Sequence, residues 1–115
     1  MDVDRPRAGT LGVKRGEIWW ADLPAPFGRR PAVLVSRDAA YAVRTSVTLV
    51  PLTTRRRGIA VEVPLEPADG VPRACVANAD NITTALTSRL IRRIGRLAPE
   101  KLRAVEEALR FALAL

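Results

Sequence analysis

Three short stretches of the chain gather groups able to hold or react with a phosphate: Gly28-Arg29-Arg30-Pro31, Thr53-Thr54-Arg55-Arg56-Arg57, and Asn78-Ala79-Asp80-Asn81-Ile82-Thr83-Thr84. A guanidinium is a planar fork of donors that stays charged at any physiological pH. Arg29 and Arg30, and the run Arg55, Arg56, Arg57, therefore suit phosphate oxygens. Thr53 ends an apolar run with a hydroxyl able to orient one such oxygen, and Thr54 adds a second. Asn78, Asp80, Asn81 and Thr83 carry donors and acceptors that either read base edges or close a bulged backbone turn. Trp19 and Trp20 are adjacent, so on a strand their rings face opposite sides; Trp20 is the candidate platform for a stacked base.

What the chain lacks narrows the chemistry. It has no histidine, which removes the commonest general base and the commonest metal ligand together. Cys75 is the single cysteine, so no intrachain disulfide and no cysteine zinc site can form. Glu17, Asp22, Asp38, Glu62, Glu66, Asp69 and Asp80 are scattered rather than spaced to gather two metal ions. Chemistry without metal or cofactor is the expectation.

Charge points to the partner. Nineteen Lys+Arg against twelve Asp+Glu give a net charge of +7 on 115 residues, and only Lys14 and Lys101 are lysines. So basic and guanidinium-rich a surface suits a polyanion. The length supports one hydrophobic core. No apolar run approaches the roughly 20 residues that span a bilayer, and the start lacks the apolar segment of a secretory signal; a cytoplasmic protein is expected.

The elements that position these groups follow from pattern. Residues 1–13 mix charge, Pro and Gly without periodicity and read as a flexible tail, leaving 14–115 as the folded domain. Short apolar or aromatic runs predict strands at 17–23, 31–36, 48–53, 59–65, 74–77, 81–84 and 91–97. Asp38 caps a short helical turn, and Pro64 places the 59–65 strand at an edge or a strand end. That strand is expected to form a hairpin with 48–53 across Thr54–Gly58. From Pro99 the spacing of Leu102, Val105, Leu109 and Leu113 predicts an amphipathic helix. The fold class is mainly β with a C-terminal helix: a small twisted antiparallel sheet closing on itself as a barrel.

The order of motifs resembles the MazF/PemK (Kid) toxins. The resemblance is carried by Arg15-Gly16-Glu17-Ile18-Trp19 with Ala21-Asp22-Leu23, Arg30-Pro31-Ala32-Val33-Leu34-Val35-Ser36, Val50-Pro51-Leu52-Thr53, Val76-Ala77-Asn78-Ala79-Asp80-Asn81-Ile82, and Ser88-Arg89-Leu90 with Ile94-Gly95-Arg96-Leu97. It covers the chain from Lys14 to Leu115 and implies a Src-homology-3-like barrel of the MazF/Kid/CcdB type. It further implies a homodimeric, metal-independent, sequence-selective endoribonuclease of a type II toxin–antitoxin pair. Such an enzyme cuts single-stranded RNA to 2′,3′-cyclic phosphate and 5′-hydroxyl ends and so inhibits translation. By position, Arg30 and Thr53 become the catalytic pair, and a cognate antitoxin with an acidic disordered segment becomes the protein partner.

Two departures stand beside the resemblance. The loop before Arg30, Pro24 to Arg29, is short, and Asn81-Ile82-Thr83-Thr84-Ala85-Leu86 replaces a more charged family segment. Proton transfer is open among a substrate-assisted route, a water and Asp80. Two rival readings share the fold: an RNA-binding module without catalysis, and a CcdB-like gyrase poison, for which the apolar end Phe111 to Leu115 is poorly suited.

Overall fold

The computed structural model describes residues 12–115; residues 1–11, most of the expected tail, lie outside the described residues. Val13, at the tail's end, is buried in the fold. The elements are β1 (Glu17–Asp22), β2 (Arg29–Leu34), α1 (Asp38–Tyr41), β3 (Ser46–Thr53), β4 (Glu62–Leu65), β5 (Cys75–Asn78), β6 (Thr83–Leu86), β7 (Leu90–Arg96) and α2 (Pro99–Leu113). Among the described residues no helix is long and apolar enough to cross a membrane.

β2 from Pro31 to Leu34 and β3 from Leu49 to Leu52 are continuously apolar because both faces of the sheet are covered there. Ile18, Val33, Val50 and Leu52 enter one core, beneath Val105 and Ala108 of α2. Ala32, Leu34, Val47 and Leu49 enter a second on the opposite face, with Val13, Tyr41 and Leu90. A strand buried on both sides loses the alternation of a half-wet strand. Each fully buried Ile18, Leu34 or Leu49 side chain contributes about 1.5–3 kcal/mol relative to exposure.

The strands pair antiparallel in the order β4-β5-β3-β2-β1-β7. β6 pairs Ser46–Leu49 of β3, and β5 pairs Leu52 and Thr53 further along that strand. The expected hairpin between β3 and β4 does not form, because β5 lies between them. The reason is burial: all four residues of β5 are buried and need both edges covered, whereas β4 exposes Pro64 and takes the sheet edge.

The sheet curls without hydrogen-bonded closure, leaving β4 and β7 at the ends of the strand path. Its ends meet instead through packed backbone: a Cβ placed on Gly95 of β7 would stand 3.1 Å from both the Cα and the carbonyl oxygen of Gly70, which follows β4. Asp38 is not a helix cap; Arg37 holds that position, and the Asp38 carboxylate accepts the backbone N–H of Arg15 at 2.7 Å. α2 starts at Pro99 as expected, yet its buried line is Val105 and Ala108 flanked by half-buried Leu102 and Leu109, and Leu113 is exposed.

Candidate active site

Arg30 and Thr53 lie on neighbouring strands. β2 and β3 pair Ala32 with Pro51 and Val33 with Val50. The pairing ends there, with Arg30 two residues before Ala32 and Thr53 two residues after Pro51, so the two lie at the same end of the strand pair. The turn before β2 then aims the guanidinium. Leu23 N–H donates to the Gly28 carbonyl and Phe27 N–H to the Pro24 carbonyl, and Gly28 takes a φ of +67°, which a glycine reaches without strain. The Phe27 carbonyl accepts from Arg30 Nε at 2.6 Å and the Leu52 carbonyl from Nη1 at 3.3 Å, with the Phe27 ring 5.9 Å from the guanidinium carbon.

Those partners fix the orientation of Arg30 without neutralising it. Among the described residues no carboxylate forms an ion pair with it, and Nε and Nη1, not Nη2, make its hydrogen bonds to the backbone. Thr53 Oγ1 accepts the Arg55 N–H at 3.2 Å, so its own O–H is still available to donate.

Beside the pair lies a cavity of about 250 Å³. Pro31 and Leu52 lie between Trp20 on β1 and Cys75 on β5, with Pro72 and Arg73 on the loop entering β5. Arg29, Arg30 and Thr54 complete the lining. Burial pushes the Cys75 thiol above its ordinary pKa, the charges of Glu66 and Asp69 push the same way, and Arg56 opposes them.

The loop carrying Arg55, Arg56 and Arg57 is exposed and is tied back at one point. The Glu62 carboxylate accepts from Arg57 N–H at 3.0 Å and Gly58 N–H at 2.9 Å. What desolvation Glu62 feels would raise its pKa; the backbone donors of Arg57, Gly58 and Ile59 and the Arg57 charge outweigh that and lower it.

The third candidate stretch goes elsewhere. Asn78 is buried, and its Oδ1 accepts the Asp80 N–H at 2.9 Å, closing a 3-10 turn over Ala79–Asn81 that packs on α2. Asp80 is exposed, Asn81 and Thr83 are half-buried, and none of these four lines the cavity. The structure thus brings Trp20, Arg29, Arg30 and Thr54 together with Thr53 and the arginine loop, and leaves Asn78, Asp80, Asn81 and Thr83 apart. Arg73, Pro72 and Cys75 are cavity residues that the sequence pattern did not single out. Only the pairing of Thr53 with Val76 brings them alongside.

Comparison with known proteins gives the family and the fold. A family model described as the PemK-like, MazF-like toxin of type II toxin–antitoxin systems matches residues 14–113. The chain is 43% identical to the probable endoribonuclease MazF5 of Mycobacterium tuberculosis over 100 residues, covering 86% of this chain and 91% of that protein. It is 36% identical to the endoribonuclease MazF9 of the same organism, with 90% and 98% covered. Among solved structures it superimposes on the M. tuberculosis toxin MazF-mt6 with a TM-score of 0.79 at 33% identity, covering 86% of this chain and 97% of that one. A mycobacterial endoribonuclease in complex with its cognate antitoxin gives a TM-score of 0.79 at 34% identity, covering 89% and 95%.

Proposed function

The chain belongs to the PemK-like, MazF-like family of type II toxins, and from that membership we propose that Arg30 and Thr53 are the catalytic pair of a metal-independent endoribonuclease. It is the toxin of a type II toxin–antitoxin system and an endoribonuclease. The observation that carries the assignment is Arg30 itself, aimed by two backbone carbonyls, on the strand next to that of Thr53, and without a counter-charge among the described residues.

In this reading the 2′-oxygen of single-stranded RNA attacks the adjacent phosphorus and gives up its proton. The P–O5′ bond breaks and the departing 5′-oxygen gains a proton, leaving a 2′,3′-cyclic phosphate and a 5′-hydroxyl. Charge accumulates on the non-bridging oxygens, where Arg30 and the Thr53 hydroxyl donate. Arg30 stabilises rather than shuttles, because a guanidinium keeps its proton near neutrality. Arg29, Thr54, Arg55, Arg56 and Arg57 hold the flanking backbone. Asp80, Asn81 and Thr83, exposed or half-buried, serve an outer part of the RNA surface, away from the reacting phosphate, and buried Asn78, expected from sequence to share that role, instead holds the turn that carries them.

The chain acts as a homodimer in the cytoplasm, its single toxin domain spanning 14–115. A cognate antitoxin covers the basic site with an acidic segment that is disordered when free, consistent with the antitoxin-bound relative.

The test is incubation with mixed-sequence single-stranded RNA in excess EDTA, with the ends mapped. Cleavage leaving 5′-hydroxyl ends, lost in Arg30→Ala and Thr53→Ala, is expected. RNA binding without cleavage would replace the enzyme with a binding module. Equal cleavage by all three proteins would move the site elsewhere.

A further inference from the structure

We propose that the cavity beside Arg30 is a subsite for one nucleobase, walled by Trp20 on one side and by Pro72 and Arg73 on the other, and that it sets the base preference at one position of the cleaved sequence. The inference rests on the ribonuclease reading and adds residues outside the catalytic pair.

The sheet order makes the walls. β1, β2, β3 and β5 are consecutive neighbours, so Trp20 and the loop entering β5 stand three strand spacings apart, roughly 14 Å. Pro31, opposite Trp20 in register, and Leu52 lie between them. Neither has a polar side chain, and the Cys75 thiol is held neutral by its raised pKa. The interior therefore favours a flat apolar face, which every base presents, and Trp20, half-buried, can stack on it.

Size and charge select the occupant. A volume of about 250 Å³ falls below the range of about 300–1,000 Å³ typical of sites that enclose a drug-sized molecule. It suits one ring system better than a peptide segment with several side chains. The cationic groups of the lining, Arg29, Arg30 and Arg73, belong where the phosphates of a base so placed would run. Arg29 and Arg73 are exposed, and like Arg30 they have no ion-pair partner among the described residues. On β7, Arg92 pairs with Trp20 and extends the basic surface past that wall. Arg73 also supplies guanidinium donors at the cavity, the means by which stacking, which tolerates any base, becomes discriminating.

The experiment is cleavage of a randomised single-stranded RNA pool, with fragment ends sequenced, by the parent, Trp20→Ala, Trp20→Phe, Arg73→Ala and the bystander Arg110→Ala. Expected is a base preference at one position near the cut that flattens in Trp20→Ala and Arg73→Ala while preferences elsewhere persist. Trp20→Ala should lower kcat/KM by about 10- to 100-fold, Trp20→Phe should restore much of it, and Arg110→Ala should match the parent. If Trp20→Ala fails to melt cooperatively, Trp20→Phe and Arg73→Ala decide. An unchanged preference pattern, or a uniform loss of cleavage with no change of pattern, overturns the subsite while leaving the ribonuclease intact. A parent that cuts nothing overturns both. An acidic peptide whose binding is lost in the Trp20 and Arg73 variants, with the cutting pattern unchanged, assigns the cavity to a protein partner and also overturns it.

Discussion

Two arginines that both donate to backbone carbonyls, Arg15 in the turn before β1 and Arg30 on β2, meet opposite treatment. Arg15 donates through Nη2 to Glu106 of α2 at 2.7 Å and through Nη1 to the Val35 carbonyl, so its charge is answered inside the molecule and ties helix to sheet. Arg30 also donates to backbone carbonyls, but no carboxylate answers it among the described residues. A half-buried cation without an anion retains its attraction for one that arrives. The same side chain is a fastening in one place and a tool in the other.

The widest separation between the two is expected from Arg30→Ala, which should cut kcat about 100- to 1,000-fold while leaving the melting temperature near the parent's. Turnover and melting measured on one preparation check it; a melting temperature that fell with activity would make Arg30 a second fastening. Arg15→Ala is the mirror image. It removes a helix–sheet ion pair and a hydrogen bond to Val35, and its partly exposed setting limits the cost to about 1–2 kcal/mol. Urea unfolding should show that loss with activity per folded molecule unchanged.

A smaller effect is expected at Glu62, whose carboxylate ties the loop of Arg55, Arg56 and Arg57. Its pKa is lowered in the fold, so the tie is fully present above the ordinary carboxyl pKa and is lost as pH falls through the depressed value. Glu62→Gln should therefore weaken RNA binding at neutral pH, while the parent holds its affinity until well into acid. A titration of RNA affinity against pH separates the two. Least of all, Arg55→Ala should lower the slope of log affinity against log salt by about 0.7, the share of one phosphate contact on a single strand.

How far the sequence discloses this molecule depends on the range of the interaction. Local pattern marks β1, β2, β3 and α2, because aromatic, β-branched and helical periodicities act over a few residues. It marks Arg30 and Thr53 because they end apolar strands. It does not order the strands: the pairing of β4 with β5 depends on which strand must be buried on both edges, a property of the whole sheet. For the same reason Arg73 stays hidden in a turn-rich stretch until β5 carries its neighbours to β3. The stretch from Asn78 to Thr83 is legible as polar groups that either read base edges or close a turn, and sequence alone does not choose between the two. Its role as a turn closed by Asn78 becomes visible only once α2 is packed over it.

The abutment of Gly70 and Gly95 reaches beyond the fold of one molecule. A Cβ on Gly95 would stand 3.1 Å from Gly70 and one on Gly70 3.3 Å from the Gly95 Cα, so a methyl group at either position is tight unless the other strand end shifts, and Gly70 also holds a φ of +104° that side chains rarely adopt. The two residues constrain each other across the chain: a side chain gained at one presses on the other, and an alignment of relatives is expected to show them varying together although they are distant in sequence.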